Sequence, residues 1–478
     1  MQRDRKTKPI FVMKFGGTSV GSADTILQTA EIIRTYAQEN LRLVVVVSAL
    51  KGITNHLIKS AMEAGAGKTE AFHSRIKAIQ GAHSTAIESL GLSEERRASL
   101  SVEIQKFIDR LTNYCRSIEV LGEVTPRGMD AISSLGERMS ARIVSALLSD
   151  MGIASMPLDA DRLIVTDSAF QNATPLREET LQKSNGMLIP LLNQGIIPVV
   201  TGYIGATHDG ITTTLGRGGS DYTAAILGNV LDAQEVWIWT DVDGVMTADP
   251  SIVHDAQVIQ ELTYDEVSEM AYFGAKVLHP KTMRPLMEKD IPIRVKNTFN
   301  PQSKGTCISS TTVQRPGKVS CVTAIRDVCL LTVRGKGMLG VPGVAARTFS
   351  AVAAENASVL MISQSSSEQS ICFVIPKNDV ERVIRSLQKE LAFEISRGDI
   401  DSVSAMEDVV IVTAIGAGMR HTPGVSARIF EALGSRRINV IAIAQGSSEY
   451  SISMVISASE ADEAVRRIHQ EVIINGNQ

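Results

Sequence analysis

Four short segments place charged side chains beside glycine, a combination suited to holding a small anionic molecule against the backbone. The first is Lys14-Phe15-Gly16-Gly17-Thr18-Ser19, at the end of an apolar run. Its two glycines let backbone amides approach an anion closely, and Lys14 adds a point charge. The second is Leu215-Gly216-Arg217-Gly218-Gly219-Ser220-Asp221, ahead of a predicted helix over Tyr222–Leu231. Ser220 or Asp221 is expected to cap that helix, and amides at its N-terminus attract anions. Arg217 can grip a carboxylate bidentately and Asp221 can accept from an ammonium, which together match an α-amino acid. The third, Trp239-Thr240-Asp241-Val242-Asp243-Gly244, closes a strand where a ribose or base could lie. The fourth, Gly274-Ala275-Lys276-Val277-Leu278-His279-Pro280, supplies a second lysine. The chemistry this set implies is phosphoryl transfer from a nucleotide to an amino acid. A carboxylate acceptor is already ionised at neutral pH and needs no general base. The obstacle is anion meeting anion; lysines, glycine amides and Mg²⁺ carried on the phosphates would offset it.

The elements that must position these residues read as an α/β domain. Ile10–Phe15 and Arg42–Ser48 are predicted as buried strands flanking a helix over Ala23–Gln38, a βαβ unit with a parallel sheet. Residues 55–150 read as mostly helical, with stops near Gly65–Gly67, Gly91 and Gly122. Strands are expected again at Ile153–Leu158, Leu163–Thr166, Ile196–Thr201, Val236–Thr240 and Ile293–Asn297. The result is an open, three-layer domain with a mainly parallel sheet. Ligands in such sheets sit beyond the carboxyl ends of the strands, after Phe15, Ser48, Thr201 and Thr240.

The C-terminal third repeats. Residues 332–375 match 413–456 without a gap, at 21 identities in 44 positions. Pro-Gly-Val recurs at 342–344 and 423–425, and Gln364 matches Gln445. Each copy reads strand, Gly-rich turn, helix, strand, polar turn, strand: a pair of small α+β modules. The expected boundaries are 1–310, a linker and strand over 311–327, and modules at 328–400 and 401–478. Modules with open sheet edges are expected to pair within the chain and between chains, at least as a homodimer.

Composition excludes other classes. The 478 residues are 44% hydrophobic and 21% charged, with a formal charge of −4, so no basic excess points to nucleic acid or a membrane surface. Aromatics at 4% argue against base stacking. No signal-peptide h-region follows the charged N-terminus, and a cytoplasmic protein with five reduced cysteines is expected. Three motifs are set aside. Gly67-Lys68-Thr69 resembles a P-loop ending, but Met62 stands where the first glycine belongs. Gly335–Gly340 is a formal G-x-G-x-x-G, but the next strand ends in Ser363-Gln364 rather than an acid. His279 reads as a packed structural residue rather than a base.

The chain resembles aspartate kinases of the amino-acid kinase superfamily. Lys14–Val20, Gly52-Ile53-Thr54-Asn55, Leu135-Gly136-Glu137-Arg138, Thr214–Asp221 and Gly274–Pro280 follow in family order, and the repeat resembles tandem ACT (ferredoxin-like) modules. The resemblance implies transfer of the ATP γ-phosphoryl group to the β-carboxylate of L-aspartate, on the route to lysine, threonine and methionine. It also implies roles by position. Lys14 and Lys276 would stabilise the phosphates, and Arg217 would hold the α-carboxylate. Glu137 and Asp221 would surround the ammonium, with Ser48, Thr54 and Ser220 positioning the substrate. Gly16, Gly17, Thr240, Asp241 and Met246 would frame the nucleotide. Met338, Val341, Gly343, Gln364 and Gln445 would bind an amino-acid effector. Many relatives carry tyrosine at Met246, arginine at Ser251 and, where lysine is sensed, aspartate at Leu360. The run Ile362–Glu368 is more similar to threonine-sensing relatives, so threonine is the expected effector. A chain ending at Gln478 leaves no room for a fused homoserine dehydrogenase, so a monofunctional enzyme is expected. Kinases acting on glutamate, acetylglutamate, carbamate or UMP, and a sensor with a dead kinase half, are the competing readings.

Overall fold

The structure is a computed structural model that describes residues 8–39, 41–275, 278–311, 317–338, 341–364 and 369–477. Contacts divide the chain into two compact units. One comprises Met1–Val245 with Leu278–Ser310, and the other Met246–Val277 with Thr311–Gln478.

The first unit opens with the expected βαβ: β1 (Ile10–Phe15), α1 (Ala23–Gln38) and β2 (Arg42–Val47). Ser22 and Thr25 form a reciprocal capping box at the start of α1, which buries Ile26, Thr29, Ala30, Ile32 and Ile33 on one face. Helices α2 (Ile53–Gly65), α3 (Thr69–Ser89), α4 (Glu94–Leu121), α5 (Pro126–Ser133) and α6 (Leu135–Asp150) follow. The P-loop-like segment is the turn between α2 and α3, with Gly67 at φ +67°. Next come β3 (Ser155–Leu158), α7 (Arg177–Gln194), β4 (Ile197–Thr201), the hairpin β5 (Ile204–Ala206) and β6 (Thr212–Thr214), α8 (Gly219–Val230) and β7 (Glu235–Thr240). After residues 246–277, which carry β8 (Glu261–Thr263) and α9 (Tyr264–Tyr272), the unit resumes with α10 (Pro280–Met287), β9 (Ile293–Asn297) and β10 (Thr306–Ser309).

Within this unit the strand order is β3-β4-β2-β1-β7-β9-β10. All neighbours are parallel except β9 and β10. β1 lies between β2 and β7, with Lys14 beside Val46 and Ile238. The connections that follow β1 and β7 therefore run in opposite directions across the sheet, to β2 and to β9, the switch point at which open α/β sheets bind ligands. Buried Phe15 stacks on Trp239 at 5.7 Å between centroids, and truncating either would cost about 3–5 kcal/mol.

One expected strand is absent. Leu163–Thr166 is buried, but Val165 and Thr166 make only isolated bridges, to Ala206 and Pro175. Its backbone is taken up elsewhere: the Val165 amide donates to Thr180 Oγ1 at 3.1 Å. Burial alone makes this run apolar.

In the second unit the repeats run β11 (Cys321–Arg334), α11 (Val344–Ala354), β12 (Met361–Gln364), β13 (Ser370–Pro376), α12 (Val380–Glu390), α13 (Ala392–Arg397), then β14 (Ser402–Ile415), α14 (Val425–Gly434), β15 (Ala442–Gln445), β16 (Ser451–Ser457) and α15 (Ala461–His469). They share one antiparallel sheet, β12-β13-β11-β14-β16-β15, joined through β11 and β14. Equivalent positions fill equivalent cores: Leu331, Val352, Phe373 and Ile375 in one, Val412, Leu433, Met454 and Ile456 in the other. A Cβ on Gly335 would lie 2.1 Å from the Asp399 carbonyl oxygen, and one on Gly337 2.5 Å from Asp399 Cα. Close chain approach explains these glycines of the G-x-G-x-x-G pattern; its positions 339 and 340 lie outside the described residues.

Residues 246–277 group with the repeats because α9 is bonded to both. Glu266 accepts from Ser320 Oγ at 2.6 Å and from the Ala417 amide at 2.9 Å. Glu269 accepts from Ser451 Oγ at 2.8 Å, and the Tyr272 hydroxyl donates to the Val359 and Leu360 carbonyls at 3.1 and 3.2 Å. At i, i+3 and i+6 these three residues share one face of the helix. Among the described residues no helix is long and apolar enough to cross a membrane.

Candidate active site and effector cavity

The site residues of the first unit gather at the carboxyl ends of β1, β2 and β4 and the N-termini of α6 and α8. Lys14, the penultimate residue of β1, is 8% exposed, and its Nζ lies 2.5 Å from Asp221 Oδ1. Gly16 donates to the Trp239 carbonyl at 3.2 Å, and a Cβ there would sit 3.5 Å from Lys14 Nζ. A Cβ on Gly17 would meet the Ala49 carbonyl at 3.2 Å. Both glycines thus keep the turn after β1 pressed on its neighbours. Ser48 donates its amide to Phe15 O at 3.1 Å, and Gly202 donates to Val47 O at 2.8 Å. Gly202 and Ser220 are in turn so close that a Cβ on Gly202 would overlap the Ser220 side chain at 2.6 Å.

Helix α8 begins earlier than its sequence pattern indicates, and neither Ser220 nor Asp221 caps it. Gly218, at φ +71°, is the N-cap, and no side-chain oxygen bonds the first amides. A glycine in the left-handed region turns the chain without a cap, so Ser220 and Asp221 fall in the first turn. Asp221 is thereby free to reach Lys14.

Glu137 lies in the first turn of α6 and is 3% exposed. Its carboxyl accepts backbone hydrogen bonds from Ala49 and its own amide, while Oε2 is buried with no hydrogen-bond partner. Burial pushes its pKa up to about 8, against those bonds and the Arg138 charge. An orphaned carboxylate oxygen in a water-poor site suits a cation supplied from outside. Arg138 faces away, held by Asp159 and Asp161 at 2.6 Å each.

Two sequence models match the chain: the amino acid kinase family over residues 9–297, and the ACT domain over 331–391 and 412–472. The chain is 31% identical over 471 residues to aspartokinase 1, chloroplastic, of Arabidopsis thaliana, which covers 98% of this chain and 80% of that one. This protein belongs to the amino acid kinase family, among its aspartokinases. It is also 35% identical over 470 residues to the A. thaliana bifunctional aspartokinase/homoserine dehydrogenase 2, covering 97% of this chain and 51% of that protein. It thus spans about half the length of such relatives. The crystal structure of E. coli aspartokinase III in complex with aspartate and ADP is similar at a TM-score of 0.79 and 31% identity, covering 97% of this chain and 99% of that one.

Against the residues the aspartokinase resemblance implies, Lys14, Gly16, Gly17, Ser48, Glu137, Ser220 and Asp221 share one sheet edge. Thr54 is half-buried in the first turn of α2. Arg217 is exposed in the loop before α8, with no ion pair among the described residues. Thr240 ends β7 and donates to Asp241 at 3.2 Å. Met246 belongs to the second unit and bridges Val258, while Ser251 bonds Asp249 through its amide and hydroxyl. Lys276 lies outside the described residues. His279 is exposed rather than packed, and its Nδ1 caps α10 by accepting from the Lys281 amide at 3.2 Å.

Two polar residues at this edge escaped the sequence. Asp130 is fully buried and bonds the strand leading into the Arg217 loop. Lys281 Nζ reaches Asn172 Oδ1 at 2.8 Å and the Leu215 carbonyl at 3.3 Å. The only signal for Asp130 was an acid inside a short helix whose other buried residues are Ile132 and Ser133.

The first ACT module holds a cavity of about 320 Å³ lined by Met338, Val341, Pro342, Gly343, Val344, Ala345, Gln364 and Ile371. It brings together Met338, Val341, Gly343 and Gln364 of the expected effector set. Gln445 is exposed at the end of β15 and does not line it. Ser365–Glu368, part of the run compared with threonine-sensing relatives, lie outside the described residues.

Proposed function

We propose that this chain is an aspartate kinase, transferring the γ-phosphoryl group of ATP to the β-carboxylate of L-aspartate to give 4-phospho-L-aspartate. The observation that carries the reading is Glu137: a buried carboxylate with one oxygen unpartnered, at the same sheet edge as Lys14 and Asp221. Such a group accommodates an ammonium. Arg217, without an ion pair among the described residues, supplies the matching grip on the α-carboxylate. Lys14 then faces the charge that builds on the transferring group, and Lys276 is assigned the same task by resemblance. The acceptor carboxylate is ionised at neutral pH, so positioning and charge neutralisation suffice. Mg²⁺ is assigned to the nucleotide phosphates, where it neutralises charge. Among the described residues no group of three or more His, Cys, Asp or Glu side chains could hold a metal ion.

The ACT modules, placed at 328–400 and 401–478, are proposed to bind an amino acid that inhibits turnover, threonine being preferred. The cavity at Gln364 is of the size a small amino acid needs. E. coli aspartokinase III has been crystallised with lysine and aspartate, so both amino acids belong in the test. A homodimer through residues 320–478 is proposed on the terminal strands β12 and β15, where Ile362 and Ile443 are 49% and 46% exposed.

The test is an ADP-release assay with L-aspartate, with and without threonine or lysine, and with glutamate, acetylglutamate, carbamate and UMP as alternative acceptors. ADP release that depends on aspartate supports the reading. Release with another acceptor and none with aspartate refutes it.

A further inference from the structure

We propose that Asp130 is a positioning residue for the substrate clamp: it fixes the loop that presents Arg217. This inference rests on the reading of Arg217 as the aspartate carboxylate ligand. Asp130 lies on α5, far from Arg217 in sequence, and is fully buried. Its two oxygens accept four hydrogen bonds. The Gln171 amide donates at 3.1 and 2.9 Å, the Thr214 amide at 2.9 Å and Thr214 Oγ1 at 2.7 Å. Every donor is neutral. A carboxylate buried on neutral donors is costly to keep ionised, and burial raises its pKa against those bonds. Neutral packing would fill this volume at lower cost, so the geometry itself is what the carboxylate supplies.

What it holds is specific. Thr214 is the last residue of β6, and Leu215-Gly216-Arg217-Gly218 follow directly. Gln171, at φ +70°, heads a turn whose Asn172 Oδ1 would lie 2.8 Å from a Cβ on Gly216. The Ala173 amide donates to Thr214 O at 2.9 Å. Asp130 thus clamps both walls of the loop with one side chain. From the other side Lys281 Nζ bonds Asn172 and the Leu215 carbonyl. Arg217 is exposed and has no partner of its own among the described residues, so these contacts determine where its backbone sits. A displacement of about 1 Å in such a group is enough to cost a large factor in substrate binding.

The experiment compares Asp130→Asn with wild type in steady-state kinetics, varying aspartate and ATP separately, alone and with Arg217→Ala. Asparagine keeps the shape but turns an NH₂ toward a backbone donor. The expected result is a rise of about tenfold or more in aspartate KM, with ATP KM within about twofold of wild type. In the Arg217→Ala background the same change should add little, because it acts through the arginine. Amide exchange over residues 214–218 should be faster in Asp130→Asn with no substrate present. If Asp130→Asn does not fold, Thr214→Val removes one of the four bonds, and a rise in aspartate KM of about threefold is expected. Unchanged aspartate KM, an equal rise in both KM values, or effects that multiply with Arg217→Ala would overturn the inference. A wild type inactive on aspartate fails the proposed function instead, and the exchange rates still decide whether Asp130 holds the loop.

Discussion

Lys14 and Asp221 meet at 2.5 Å, tying the end of β1 to the first turn of α8. Their side chains are only 10% and 21% exposed, so each is the other's principal compensation for lost water. The acid that the sequence offers to a substrate ammonium is therefore also the partner of the lysine proposed to face the phosphates. Lys14→Met is expected to lower kcat by about 10² or more, with a smaller change in aspartate KM, because its charge is most useful in the transition state. Asp221→Asn is expected to lower kcat as well, by releasing Lys14. Near-normal turnover in Lys14→Met would reduce Lys14 to a structural residue.

Arg217 contrasts with this pair. Its exposure and lack of an ion pair among the described residues predict that Arg217→Ala leaves thermal stability unchanged. The cost should fall on catalysis, about 2–4 kcal/mol in kcat/KM for aspartate, with ATP binding little affected. Loss of ATP binding with an unaltered aspartate KM would assign the wrong ligand to the clamp.

Much of this arrangement is legible in the sequence because its signals are local. The β1-α1-β2 unit follows from apolar runs and a 3.6-residue period, and α1 spans the expected Ala23–Gln38. The offset between the repeats gives the second unit its two equivalent cores. What was not legible depends on distant partners. The Leu163–Thr166 run carries a strand's composition, but its amides are satisfied by the Ala160 carbonyl, by Thr180 and by Ala206 of β5. α8 starts at Gly219 because Gly218 adopts a positive φ, which periodicity does not register. Asp130 is recognisable only once Thr214 and Gln171 are placed against it. The grouping of residues 246–277 with the repeats rests on bonds from Glu266, Glu269 and Tyr272 to Ser320, Ser451 and Val359, and on Ala248 and Val253 in the second repeat's core, all partners far away in the chain.

Glu137 gives the site a pH dependence. With its pKa raised to about 8 by burial, the free chain holds it mostly protonated at neutral pH. Binding an ammonium requires the carboxylate, so kcat/KM for aspartate should rise as pH climbs toward about 8 and level off above it. Glu137→Gln should remove that break and lower the plateau. Stability runs the other way. The folded state holds this proton more tightly than the unfolded chain, so stability falls with rising pH between the ordinary value of 4.5 and about 8. Glu137→Gln, which cannot ionise, is therefore expected to melt higher than wild type at pH 8 although it is less active. A pH profile without this break, or an equal melting temperature at pH 8, would contradict the assignment.

Regulation is predicted to depend on Gln364 and Tyr272 in different ways. Gln364 ends β12 and lines the cavity of the first ACT module, so Gln364→Ala removes a polar group that a bound amino acid can use. The half-inhibitory threonine concentration should rise by about tenfold, with uninhibited turnover intact. Gln445, outside that cavity, should matter only if the second module binds effector as well, and Gln445→Ala tests this separately. Tyr272 is not one of the residues lining the cavity, but its hydroxyl holds the Val359 and Leu360 carbonyls at the entry to β12. Tyr272→Phe deletes those two bonds and little else. An effector inhibits only as far as it favours one conformation over another, so a weakened link should leave threonine binding in place while reducing the depth of inhibition. Calorimetry separates the two effects: Gln364→Ala should weaken binding, and Tyr272→Phe should bind normally and respond poorly. Coincident inhibition curves for wild type and all three variants would remove these residues from regulation, and a wild type indifferent to both threonine and lysine would remove the cavity too.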